Sequence, residues 1–165
     1  VLCNSYDIME RIYEQLPWRV QQRTMRQDQD NRMASLKEWY DSDEQMFLSV
    51  SMDEGISLDD DRARWQVVAK ASYPFMGDER VNYRVNEMGD WEWYAGCAVI
   101  DLQQAVGRGM RSKNDYCVTY LLDSSFRTLL NKNEHLFEDY FLDSIDCYTD
   151  LDVYGKPDTN FSFSS

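Results

Sequence analysis

An α/β domain with a mostly parallel sheet and helices on both faces is predicted by three observations. Short apolar runs alternate along the chain with stretches whose apolar residues recur at helical spacing, the signature of strands joined by crossover helices. The runs are apolar throughout rather than at every second position, as strands covered on both faces require. With 165 residues, 43% hydrophobic and 14% aromatic, the chain can bury one sizeable core and is too short for two.

Each element follows from its local pattern. Val1-Leu2-Cys3 reads as a strand, Asn4-Ser5 as a helix N-cap, and Ile8, Met9, Ile12, Tyr13 and Leu16 as the apolar face of a helix that Pro17 ends. A short β-type stretch follows at Trp18–Gln21. Beyond a polar loop comes a second helix through Met33, Leu36, Trp39 and Tyr40, with Asp28 or Asp30 as its cap. Met46–Val50 and Trp65–Ala69 read as buried strands. After Pro74 the pattern is irregular until about Trp91, where a long helix begins that runs to about Arg111. Cys117–Leu122 is the next strand. Helical patterns follow through Phe126, Leu129 and Leu130, then through Leu136, Phe137, Tyr140 and Phe141. Residues 1–145 are thus expected to form the domain and 146–165 a peripheral tail. A chain that opens in a strand without an initiator Met reads as a trimmed domain of something longer.

Composition excludes several classes. No run of 18 apolar residues and no basic leader with an apolar segment points to a membrane, so a soluble cytoplasmic or nuclear protein is expected. Cys3, Cys97, Cys117 and Cys147 are widely spaced, with a single histidine, His135, so neither a zinc nor an iron–sulfur site is expected within the chain. The 30 acids outnumber the 17 cations, for a net charge of −13, which argues against a protein that coats nucleic acid through phosphate neutralisation. Contact with nucleic acid must be local. The acidic surface suits high salt, repulsion of duplex, or a basic protein partner.

The chemistry is carried by Gln104-Ala105-Val106-Gly107-Arg108-Gly109-Met110-Arg111. On a helix Gln104, Arg108 and Arg111 share one face, while Val99, Leu102, Val106 and Met110 share the opposite, core-facing one. Gly107 and Gly109 each cost about 1 kcal/mol relative to Ala in a helix, which implies close approach of something to the backbone. Two guanidinium groups, permanently charged and able to fork onto phosphate oxygens, suit the stabilisation of a transferring phosphoryl group.

Gln104-x-x-Gly107-Arg108-x-x-Arg111 resembles motif VI of superfamily 2 helicases. Its continuation through Ser112–Tyr116 to Leu121-Leu122-Asp123 is similar to the XPD/DinG group. Val50-Ser51-Met52-Asp53-Glu54-Gly55-Ile56-Ser57-Leu58 resembles motif V. Asn4-Ser5-Tyr6 resembles the motif IV region, and Arg64-Trp65-Gln66 with Tyr73-Pro74 the connecting strand and its exit. The resemblance covers about residues 1–145 and implies a RecA-like second motor domain of an ATP-dependent DNA helicase. It further implies ATP and Mg²⁺ shared with a first motor domain, 5′ to 3′ translocation on single-stranded DNA, and arginine fingers at Arg108 and Arg111 with Gln104 as sensor. Asp53, Glu54, Gly55 and Gly107 would couple the ATP cleft to the strand, and Asn4, Ser5 and Tyr6 would touch the nucleic acid.

Two positions depart from the group's pattern. Ser57 stands where Asp is usual, and Ser125 where Arg is usual two residues beyond Asp123. The sequence contains no G-x-x-x-x-G-K-[ST], and the resemblance implies that the phosphate-cradling loop would belong to the first motor domain. The rival readings are a RecA-like scaffold whose acidic surface binds a protein, and the motor of a DinG-type helicase linked to a nuclease. The bland readings of the minor features are Ser5 as a plain N-cap, Tyr6 and Trp65 as core aromatics instead of base-stacking platforms, His135 as structural, and Asp59-Asp60-Asp61 as a solvated turn.

Overall fold

The computed structural model describes residues 1–42, 45–50, 63–109 and 116–145. Five strands, β1 (Leu2–Cys3), β2 (Thr24–Arg26), β3 (Met46–Val50), β4 (Trp65–Val68) and β5 (Val118–Leu121), pair all-parallel in the order β2-β3-β1-β4-β5. Parallel neighbours need crossovers, and among the described residues helices supply those from β1 to β2, β2 to β3 and β4 to β5. The helices are α1 (Tyr6–Gln15), α2 (Trp18–Gln21), α3 (Arg32–Tyr40), α4 (Glu79–Asn82), α5 (Trp91–Gly107), α6 (Ser125–Lys132) and α7 (Asp139–Leu142).

The alternation of side chains along each strand sorts the core into layers. Cys3, Leu48 and Val50 pack on one face beneath Met9, Ile8 and Ile12 of α1. On the other face Leu2, Val68 and Leu121 meet α5, α6 and α7. The contact on α5 is made by Ala95, Ala98, Val99 and Leu102, an i, i+3, i+4, i+7 stripe. Phe47 lies on that face with Leu36 and Trp39 of α3, its ring stacked on Trp39. Helices therefore lie on both faces, with α1 packed on β1 and β3 and tied to β2 by Arg26, which pairs with Glu10 and stacks on Tyr13. On the α1 side of β4 and β5, Trp65, Val118 and Tyr120 are about half exposed.

Three local expectations are corrected. Trp18–Gln21 is a helical turn rather than a β stretch: the Pro17 carbonyl accepts from the N–H groups of Val20 and Gln21, and Pro before a helix costs nothing because its missing N–H would have no partner there. The strand lies instead at Thr24–Arg26, in the stretch read as polar loop, because pairing with β3 outweighs its polarity. The cap of α3 is Asn31, whose side chain accepts from Ala34 N–H, while Asp28 accepts from the N–H groups of Asp30 and Asn31 in the turn before it.

The irregular stretch after Pro74 contains α4, which Asp78 caps and which continues as a π-type turn over Tyr83–Glu87. A turn closed at i+5, as Met88 N–H to Tyr83 O, breaks the 3.6-residue periodicity and so hides a helix from pattern reading. Gly89, at φ 71°, reverses the chain into α5 in the left-handed region that glycine enters without strain. Arg84 locks the corner, bonded to Asp90 at 2.7 Å and stacked on Trp93.

Candidate functional site

The described residues among those singled out from sequence fall into two groups on opposite rims of the sheet. Asn4, Ser5 and Tyr6 follow β1 at the carboxyl ends of the strands. Asn4 is exposed. Ser5 Oγ caps α1 by accepting from Ile8 N–H at 3.3 Å, as the plain reading has it, while a hydroxyl that accepts can still donate its own proton. Tyr6 is half-buried against the core beneath α1, and its Oη accepts from Gln27 Nε2 at 2.9 Å.

Gln104, Gly107 and Arg108 lie at the other end. The crossover helix α5 runs antiparallel to the strands it joins, so its last turn descends to where β4 and β5 begin. Gly109, just past the helix, packs beside Cys117 and Ala63 O, which precede those two strands. One rim holding Asn4 and Gln104 together, as carboxyl-end binding in open α/β sheets suggests, is therefore not what the structure has. That rule describes residues following strands, and Gln104 and Arg108 lie in the last turn and at the C-cap of a helix.

Helix α5 ends at Gly107, with Arg108 as its C-cap still in the helical region, four residues earlier than the sequence suggested. Gln104 and Arg108 stay one turn apart on the side away from Val99 and Leu102. Gln104 is exposed and Arg108 half-buried. Arg111, Met110, Asp53, Glu54 and Gly55 lie outside the described residues, as do Ser57, Asp59-Asp60-Asp61 and the tail 146–165.

The two glycines separate in role. A Cβ on Gly109 would lie 2.5 Å from Cys117 Cβ and Sγ, so the close approach there is made by the chain itself. A Cβ on Gly107 would meet nothing within 4 Å of the described residues, and its exposed backbone can admit a ligand from outside.

A residue that sequence reading passed over holds this end of α5 in place. Gln66, on β4 and 5% exposed, points Nε2 at Ala105 O and Val106 O, both at 3.1 Å, and at Thr119 Oγ1 at 2.8 Å. Carbonyls in the last turn of a helix lack the regular i+4 donor, and a carboxamide nitrogen buried in the sheet supplies one beside the 3.4 Å bond that Arg108 N–H makes to Ala105 O. The signal for it was a lone amide in an otherwise apolar strand, Trp65-Gln66-Val67-Val68. Gln66→Leu is expected to remove the side-chain donor to Val106 O and Thr119 Oγ1, leaving Ala105 O with Arg108 N–H alone, and to cost about 1–3 kcal/mol, read as a lower denaturant midpoint with an unchanged slope.

At the carboxyl rim Asp123 ties β4 to β5, accepting from Ala71 N–H at 3.2 Å and Ser125 N–H at 2.9 Å. Desolvation pushes its carboxyl up, but the hydrogen bonds from Ser125 and Ala71 outweigh it and hold the group below its usual range. Ser125 begins α6, so the position where the helicase group usually has Arg serves here as the start of that helix.

His135 is exposed and 3.6 Å from Glu92. Trp65 is half exposed, and the Cys3 thiol is buried and pushed up by desolvation. Among the described residues no three His, Cys, Asp or Glu side chains converge as a metal site, and no helix is long and apolar enough to cross a membrane.

Comparison with curated proteins gave no match. Comparison with protein families matched residues 1–141 to the helicase C-terminal domain. With its all-parallel five-stranded sheet, helices on both faces and this match across most of its length, the chain belongs to the helicase C-terminal domain family, RecA-like in fold.

Proposed function

We propose that this domain is the second motor of an XPD/DinG-type DNA helicase, in which ATP hydrolysis drives translocation along single-stranded DNA and duplex opening. The observation that carries the reading is the last turn of α5. Gln104 and Arg108 lie one turn apart on its outer side, Gly107 is open between them, and Gln66 fixes the turn to the sheet.

That donor set fits a polyphosphate. A guanidinium supplies a planar fork of permanent charge, and a glycine backbone lets phosphate oxygens come close. ATP with Mg²⁺ would be shared between this rim and a first motor domain. Arg108 and Arg111 would stabilise charge on the γ-phosphate, and Gln104 would sense it. Asp53, Glu54 and Gly55 would couple the cleft to the strand.

Nucleic acid would sit at the other rim, on Asn4, Ser5 and Tyr6. Separate rims suit a motor, because two ligands bound across one rigid sheet can be coupled through the strands between them. The net charge of −13 fits a strand contact confined to a few residues rather than a broad phosphate track.

The test is reconstitution. Residues 1–165 alone, given ATP, Mg²⁺ and single-stranded DNA, are expected to give no turnover, because their sequence has no phosphate-cradling loop. The helicase with both motor domains should hydrolyse ATP and be stimulated by the strand. Turnover by residues 1–165 alone, or no stimulation of the two-domain protein, would overturn the reading.

A further inference from the structure

Gln27 is among the few buried polar side chains of the described residues, 5% exposed, and lies one residue beyond β2. Its backbone N–H continues the ladder to Leu48 O at 2.9 Å. Its side chain does more. Oε1 accepts from Val50 N–H at 3.0 Å, taking the place of the next backbone carbonyl on β2, and Nε2 donates to Tyr6 Oη at 2.9 Å. One carboxamide thus joins the end of β3 to the segment after β1.

The orientation of this amide is set by chemistry. Val50 N–H can only donate, so it must face the amide oxygen, and the nitrogen is left to face Tyr6. An amide nitrogen can only donate, so the phenol oxygen must accept. The hydroxyl proton of Tyr6 is thereby turned away from Gln27 and available to a further acceptor. At a rim proposed to hold nucleic acid, that acceptor is a phosphate oxygen.

We propose that Gln27 is a positioning residue that sets Tyr6 as a hydrogen-bond donor to a strand phosphate and fixes that donor relative to the end of β3. The inference rests on the motor-domain reading above. Gln27 itself touches no nucleic acid; it acts through Tyr6.

The experiment uses the helicase with both motor domains and compares Gln27→Met, Tyr6→Phe and the double variant. Its readout is the single-strand concentration giving half-maximal ATPase. Each single variant is expected to raise that concentration roughly three- to tenfold, the change that loss of one or two hydrogen bonds carries. For Gln27→Met, turnover at saturating strand should stay within about twofold. The double variant should match the single ones, because both act through one hydroxyl. The dependence of half-saturation on salt should keep its slope, since Tyr6 carries no charge to release counterions.

Tyr6→Phe leaves the bond between Gln27 and Val50 intact, so it decides the matter if Gln27→Met does not fold. Unchanged half-saturation in Tyr6→Phe would overturn the proposal. So would multiplicative effects in the double variant, or a Gln27→Met protein that is less stable but binds strand as the parent does. A parent protein without strand-stimulated ATPase would instead overturn the motor-domain reading.

Discussion

Arg108→Ala, made in the helicase with both motor domains, is expected to lower ATP turnover on the order of 10³-fold, the lower part of the range for arginine fingers. The side chain extends from the C-cap of α5, one turn past Gln104, and takes no part in the stripe of Ala95, Ala98, Val99 and Leu102 that packs on the sheet. Stability should therefore change little. Arg108→Lys should restore little activity, because an ammonium is a point charge and cannot bond two phosphate oxygens in a plane. The check is steady-state ATPase with saturating single strand, beside a thermal melt of each variant. A folded Arg108→Ala protein with parental turnover would remove the arginine from the mechanism.

The opposite separation is expected for Leu48→Ala. Leu48 is fully buried on β3, in the cluster with Cys3, Met9 and Val50 that seats α1 on the sheet. Removing its branched end takes away transfer free energy and leaves a cavity that a parallel strand, bonded on both sides, cannot collapse to fill. A loss of about 2–5 kcal/mol is expected, a large share of a typical domain's stability. Denaturant unfolding should report it as a lower midpoint. The folded fraction should still hydrolyse ATP at the parental rate, because the last turn of α5 is anchored through β4 and β5. A loss of turnover per folded molecule would show that the two rims are coupled through the α1 layer.

The two substitutions test the same division of labour. Leu48 holds a layer together, whereas Arg108 carries the proposed chemistry and lies outside the stripe of α5 that packs on the sheet. Gln66 and Gln27 stand between them, each a buried amide whose loss costs stability and also releases a segment that the proposed function uses.

The sequence by itself determined the fold class and most of the elements. Met46–Val50 is the strand it predicts, residue for residue, and Trp65–Ala69 differs from β4 by a single residue, because uninterrupted apolar runs have few other places to go. The Gln104-x-x-Gly107-Arg108 spacing was legible for a similar reason: on a helix, residues four apart share a face whatever surrounds them. Caps and periodicity are local properties, read within one or two turns.

Tertiary structure alone decided what depends on neighbours distant in sequence. Thr24–Arg26 becomes a strand only because β3, some twenty residues on, pairs with it. The placement of Asn4 and Arg108 on opposite rims follows from the antiparallel run of a crossover helix, which a motif read along the chain does not contain. The buried amides are the clearest case. Gln66 and Gln27 look in sequence like polar residues near apolar strands, and nothing local says that one will meet the end of a helix 39 residues away and the other a strand amide 23 residues away. Their roles come from the cost of leaving a buried carbonyl or N–H without a partner, and that cost arises only when the chain has closed around them.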